Sequence, residues 1–297
     1  MKIINSISHM RKQVLLWRQE RLSIAMVPTM GFFHDGHLSL MRTAGNKADR
    51  VVVSLFVNPA QFGPNEDLNR YPRDLERDAK LAEDTGVSCL FYPDVKDIYP
   101  PGFQTWIRVD GLSQGLCGTS RPEHFRGVAT IVAKLFIIVR PDMAIFGQKD
   151  FQQLQVIRRM VMDLNIPVNI IAHPIVREPD GLALSSRNTY LNMKERESAV
   201  SLFQALQIAE KMVASGNISV PEIIRAVKKH IQSFGNTKID YVFLGHPESL
   251  RPCREIVGEA LLALAVWVGK TRLIDNTLLK QQANQAHQID KSKGSEI

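Results

Sequence analysis

The segment Pro28-Thr29-Met30-Gly31-Phe32-Phe33-His34-Asp35-Gly36-His37 sets two imidazoles three residues apart with a glycine between them. An apolar run, Ser23–Met30, precedes the pair, and a helix-like pattern, His37–Lys47, follows it. The histidines therefore sit where a strand turns into a helix. A helix N-terminus offers free N–H groups and the positive end of its dipole, and both favour an anion. Gly36 allows backbone to approach a phosphate closely, and imidazole N–H groups can stabilise charge building on phosphoryl oxygens. The plainer reading is a loop with two surface histidines and Asp35 as a cap.

Three further segments carry groups of the same kind. Gly147-Gln148-Lys149-Asp150, with Gln153, lies between a strand-like and a helix-like stretch. Asp150-x-x-Gln153 is close to a capping box, which would account for both residues structurally. Lys149 has no such account, because a cation at a helix N-terminus opposes the dipole unless a phosphate binds there. Leu184-Ser185-Ser186-Arg187 strings two hydroxyls and a guanidinium together, which suits a polyphosphate or a polar turn between domains. In Phe56-Val57-Asn58-Pro59-Ala60-Gln61-Phe62, Gln61 offers a neutral amide to a substrate hydroxyl or carboxylate. A neutral partner leaves a carboxylate free to act as a nucleophile. Each segment alone also reads as an ordinary polar loop.

The elements that must position these loops alternate. Strand-like runs at Arg50–Val57, Val87–Tyr92, Asp142–Phe146 and Val168–Val176 are separated by helix-like stretches at Asp74–Thr85, Gly127–Val139 and Asp150–Asn165. Continuous apolar strands between helices predict a parallel sheet covered on both faces, a Rossmann-like α/β domain over residues 1–176. Two helices, 193–214 and 221–234, and two strands, Ile239–Leu244 and Ala260–Val268, predict a smaller α+β domain over 177–279. Residues 280–297 are polar and aperiodic and are expected to be disordered. Gly269-Lys270-Thr271 is no P-loop, because Leu264 stands where that motif needs glycine. There is no GxGxxG after the first strand.

Composition limits the alternatives. The chain has 297 residues, 37 Lys+Arg against 30 Asp+Glu, and a formal charge of +7. The excess is diffuse, without a basic block, so small anionic substrates are expected rather than a nucleic acid. Cys89, Cys117 and Cys253 form no metal-ligand spacing and suit a reducing compartment. The N-terminal stretch lacks a signal-peptide core, and the longest apolar run, Ala260–Val268, is far short of the roughly 20 residues of a membrane span. A soluble, cytoplasmic enzyme that makes an acyl-adenylate is expected. A nucleotidyltransferase acting on a phosphate ester is the alternative.

Together the segments resemble the pantothenate synthetases (pantoate–β-alanine ligases). PTMGxxHxGH, FVNPxQF, HFRG at 124–127, FGxKDxQQ, DGLALSSRN and RLIDN at 272–276 stand in that family's order over about residues 1–279. The resemblance implies ATP-dependent joining of pantoate to β-alanine through pantoyl-adenylate, with Mg²⁺ accompanying ATP. By motif match, ATP would meet Met30, Gly31, His34, Gly36 and His37. It would also meet Gly147, Gln148, Lys149, Asp150 and Val176, and then Leu184, Ser185, Ser186 and Arg187. His37 would be the proton donor, with His34 and Lys149 on the phosphates. Gln61 and Gln153 would hold pantoate, and Gln61 would also lie near β-alanine. The family is a homodimer through its N-terminal domain, with the C-terminal domain as a lid. The chain departs in Gln148, where many members carry Glu, and in Phe32-Phe33, which is bulkier than the small or polar pair often seen there. It also departs in its tail after about Leu279.

Overall fold

In the computed structural model, which describes residues 1–64 and 66–281, two sheets organise the chain. The first has six strands: β1 (Lys2–Ile4), β2 (Ile24–Thr29), β3 (Arg50–Leu55), β4 (Cys89–Phe91), β5 (Met143–Gly147) and β6 (Asn169–His173). They lie in the order β1-β4-β3-β2-β5-β6, every pair parallel. The chain steps outward from β2 through β3 to β4, then returns across to β5 and β6. The switch point therefore falls between β2 and β5, where an open α/β sheet leaves a crevice at its carboxyl edge.

The apolar strands serve two cores. Ile24 and Met26 face a cluster built with helices α1 (Ile7–Gln19), α6 (His124–Val139) and α7 (Phe151–Asp163). Ala25 and Val27 face the opposite cluster, built with α2 (Asp35–Gly45) and α3 (Leu75–Asp84). The side-chain period of two thus persists inside a continuous apolar run because both faces are covered. Short helices α4 (Val95–Ile98) and α5 (Cys117–Ser120) lie in the connections.

The second sheet is an antiparallel meander of β7 (Thr237–Gly245), β8 (Glu259–Val268) and β9 (Thr271–Lys280). Helices α8 (Met193–Ala214) and α9 (Val220–Gln232) bury their apolar faces in its core. Gly269 and Lys270 form the two-residue turn between β8 and β9, with Gly269 at φ +57°. A positive φ at the first turn position selects glycine there, which accounts for the Gly-Lys-Thr string that imitates a P-loop.

The structure contains elements that the sequence patterns did not show. A third strand, β9, was not foreseen, and it runs through Lys280 into the stretch expected to be disordered. Residues 282–297 lie outside the described residues. Helix α1 and strand β1 were not foreseen either. No described helix is long and apolar enough to cross a membrane.

Candidate active site

The loop after β2 enters α2 through a strained turn. Gly31 adopts φ +88° and Phe32 φ +52°. The Asp78 carboxylate, buried at the base of α3, accepts the N–H groups of Phe32 at 2.6 Å and Phe33 at 2.7 Å. Burial pushes this carboxyl above its usual range, and the two N–H donors oppose that rise. Asp78 therefore holds the turn that delivers the histidines. In sequence it looked like one more charge on an amphipathic helix. Phe33 is fully buried in the core, and Arg77 stacks 5.1 Å from the centroid of Phe32. Neither phenylalanine lines the cavity described below.

His34, not Asp35, is the N-cap of α2. Its backbone N–H donates to Nδ1 of His37 at 3.4 Å, and the two rings lie 4.1 Å apart. That bond makes Nδ1 of His37 the acceptor and leaves the proton of the neutral ring on Nε2. Burial, with help from Lys149, lowers the His34 pKa to about 4. Burial, then His34 and Lys149, holds His37 well below the usual histidine value. Both rings are thus neutral donors at neutral pH. A Cβ on Gly36 would stand 2.9 Å from Cε1 of His34. Glycine is required there so that the His34 ring can fold back against the chain.

Lys149 follows β5 in a short 3-10 turn, Gln148–Asp150, directly across the switch point. It is half-buried and makes no ion pair among the described residues. Burial lowers its pKa, with Asp150 opposing that shift. A half-buried, uncompensated ammonium is unfavourable without an anionic partner.

The Gln61 loop, closed by a 3-10 turn at Pro59–Gln61, is clamped from two sides. The Gln61 side-chain oxygen accepts from Asn58 at 3.0 Å, which turns its NH₂ toward Sδ of Met30 at 3.3 Å and toward the cavity. Its backbone carbonyl accepts from Nδ1 of His124 at 2.9 Å and from Arg121 at 3.2 Å. Because Nδ1 must donate to that carbonyl, Nε2 of His124 accepts from Arg121 at 3.2 Å. Burial, then Arg121, lowers the His124 pKa to about 4. Arg121 in turn pairs with Glu66 through two 2.6 Å bonds. The HFRG motif thus holds the FVNPxQF loop, and its glycine permits the contact. A methyl on Gly127 would overlap the Ala60 carbonyl and stand 2.7 Å from the Gln61 nitrogen. Gly127→Ala is expected to destabilise by about 1–3 kcal/mol through overpacking and to weaken substrate binding by moving Gln61. Denaturant unfolding, with the KM of each substrate, measures both.

One cavity of about 260 Å³ collects these groups. Met30, His34, Gly36, His37, Gln61, Gly147, Lys149, Asp150, Gln153, Val176, Leu184, Ser185, Ser186 and Arg187 all line it. Gly31 and Gln148 do not. Gly31 acts through its turn, and the Gln148 carbonyl accepts from Asn276 of β9 at 3.0 Å. Arg187 is not free. It forms two bonds to Asp67, at 2.9 and 3.2 Å, so a phosphate would have to share or displace that carboxylate. Ser185 Oγ accepts the Arg187 backbone N–H at 3.3 Å, which shapes the turn beginning at Ser186. No capping bond forms from Asp150, and the Gln153 amide has no hydrogen-bond partner among the described residues. Its neighbour Gln152 is the structural one, donating to the carbonyls of Leu112 and Gly115. Gln153→Ala is therefore expected to leave the thermal midpoint unchanged and to raise the KM for the acid substrate. A melting curve beside steady-state kinetics separates the two. Sequence reading also missed Asn58, Tyr71, Arg121, His124 and His173 in the lining.

A parallel sheet whose switch point gathers two neutral imidazoles, an unpaired ammonium and a hydroxyl-rich loop defines a nucleotide-binding α/β enzyme. The chain belongs to the pantoate-beta-alanine ligase family, whose model matches residues 2–278. It is 54% identical over 280 residues to the pantothenate synthetase of Moorella thermoacetica, covering 94% of this chain and 99% of that one. It is likewise 54% identical over 279 residues to the enzyme of Thermotoga petrophila, covering 94% and 100%. The crystal structure of pantothenate synthetase from Thermus thermophilus superposes with a TM-score of 0.89 at 45% identity, covering 93% of this chain and 99% of that one. The pantoate-beta-alanine ligase of Francisella tularensis, complexed with beta-gamma ATP and beta-alanine, superposes with a TM-score of 0.76 at 34% identity, covering 94% and 97%. These relatives do not favour the phosphate-ester nucleotidyltransferase.

Proposed function

We propose that this chain condenses pantoate with β-alanine at the expense of ATP, releasing AMP and pyrophosphate. The pantoate carboxylate attacks the α-phosphorus, the bond to the bridging oxygen breaks, and pyrophosphate leaves. The amine of β-alanine then attacks the acyl carbon of pantoyl-adenylate, loses a proton, and expels AMP. The observation that carries this reading is the convergence of the loops after β2 and β5 with the Ser185–Arg187 loop on one cavity. No protein nucleophile is required, so the work is positioning and charge stabilisation.

In this scheme Nε2–H of His37, fixed by the His34 backbone bond, donates to a phosphate oxygen as pyrophosphate departs. His34 and Lys149 contact the phosphates, and Ser185, Ser186 and Arg187 complete the cradle. Met30, Gly36, Gly147, Val176 and Leu184 supply the remaining ATP contacts from the cavity wall. The Gln61 NH₂ and the unpartnered Gln153 amide hold pantoate, and Gln61 also borders the β-alanine position. Bound with ATP, Mg²⁺ would neutralise charge on the triphosphate. No group of three metal-ligating side chains occurs among the described residues. Asp150 is the carboxylate that lines the cavity and would help hold such an ion. We further propose a cytoplasmic homodimer joined through residues 1–176, with residues 177–279 closing over the cavity as a lid.

Isotope exchange between pyrophosphate and ATP tests the chemistry. Exchange should require pantoate and proceed without β-alanine. Exchange indifferent to pantoate would overturn the proposal.

A further inference from the structure

The RLIDN segment lies in the middle of β9, far in sequence from the loops of the cavity, and two of its polar side chains are buried. Asp275 is 2% exposed and Asn276 5% exposed. Asp275 accepts two bonds from Arg177, at 2.6 and 3.0 Å, and the Asn276 backbone N–H at 2.8 Å. That fixes the strand at this point. The Asn276 NH₂ then reaches out of the second sheet and donates to the carbonyls of Gln148 at 3.0 Å and Lys149 at 2.9 Å. A flipped amide would turn its oxygen against two carbonyl oxygens, so the orientation is determined.

Those two carbonyls belong to the turn that carries Lys149. The Lys149 ammonium has no carboxylate holding it among the described ion pairs, so its placement rests on the backbone beneath it. We infer that Asn276 is a positioning residue for Lys149: through one side-chain amide, the second sheet sets where the ammonium meets the phosphates. Adenylate formation is then coupled to the seating of that sheet against the first. The inference rests on the function proposed above.

Asn276→Asp is nearly isosteric, yet its carboxylate has nothing to donate and repels both carbonyls. The expected result is a fall in pantoate-dependent pyrophosphate–ATP exchange on the order of 10- to 100-fold. It should appear in kcat, with the KM for pantoate unchanged because Gln61 and Gln153 are untouched. The same substitution in a Lys149→Ala background should have almost no further effect. A merely structural role would lower both backgrounds by the same factor, and a double-mutant cycle reads that difference. Should the aspartate variant fail to fold by circular dichroism, Asn276→Ala removes both amide donors without adding charge and carries the same cycle. Equal losses in the two backgrounds, or full activity in a folded variant, overturn the inference. Wild-type enzyme lacking pantoate-dependent exchange would instead sink the functional reading on which it rests.

Discussion

Replacing Lys149 with alanine is expected to slow pantoate-dependent pyrophosphate–ATP exchange on the order of 10²–10³-fold while the thermal midpoint holds or rises. The two halves of this result share a cause. Burial lowers the Lys149 pKa, so the folded protein holds a cation that would be better solvated elsewhere. No carboxylate pairs with it among the described residues, although most buried charges in folded proteins are paired. Removing such a group relieves the folded state, and the loss of the side chain's methylene contacts works against that gain. Its favourable partner appears only with the triphosphate, as charge moves onto the departing pyrophosphate. Exchange kinetics and calorimetry on one preparation measure both halves. Near-normal exchange would remove Lys149 from the phosphates, and a midpoint lowered by many degrees would make it a structural residue.

Much of this site was legible in sequence because each motif pairs a chemical group with a boundary between elements. The apolar run through Val27 and the helical period after His37 put the two histidines at a strand end. The same reasoning put Lys149 at another. Parallel topology brings such ends together, so loops far apart in sequence were expected to meet, and they do. What stayed hidden are the groups that support the site. Asp78 could not be told from its charged neighbours on α3, because one buried carboxylate leaves the helical pattern intact. Strand β9 hid because Asp275 and Asn276 interrupt its apolar alternation. They are buried as hydrogen-bonding groups toward Arg177 and the Lys149 turn, not as apolar ones. Arg187 was read as a free phosphate ligand because nothing local in sequence announces Asp67, 120 residues away. Long-range polar pairing leaves no period in a sequence, whereas apolar packing does.

Acidification is expected to weaken the ligand-free enzyme steeply between pH 6.5 and 4, and bound nucleotide should blunt the loss. Burial lowers the pKa values of His34 and His124 each to about 4, below the usual histidine value of about 6.5, and displaces His37 in the same direction. A depressed folded pKa means that the unfolded chain binds the proton first. The stability at stake is fully present above 6.5 and is lost as pH falls through the folded value. At pH 5 the loss is about 2 kcal/mol for each of His34 and His124, a large share of an ordinary domain's stability. Carboxylates titrate across part of the same window, so the total slope is not diagnostic. The difference between wild type and His34→Asn is. Asparagine cannot take up a proton, so the variant should lose less stability than wild type between pH 7 and 5 in urea melts. Parallel curves for the two proteins would show that the His34 ring is not desolvated. The triphosphate supplies the other half of the test. An anion beside His34 and His37 favours their charged forms and raises both pKa values toward the unfolded one. Saturating Mg-ATP should therefore flatten the wild-type curve more than that of His34→Asn. Surface carboxylates far from the cavity would give the two proteins the same response to nucleotide, because they do not sense whether the cavity holds phosphate.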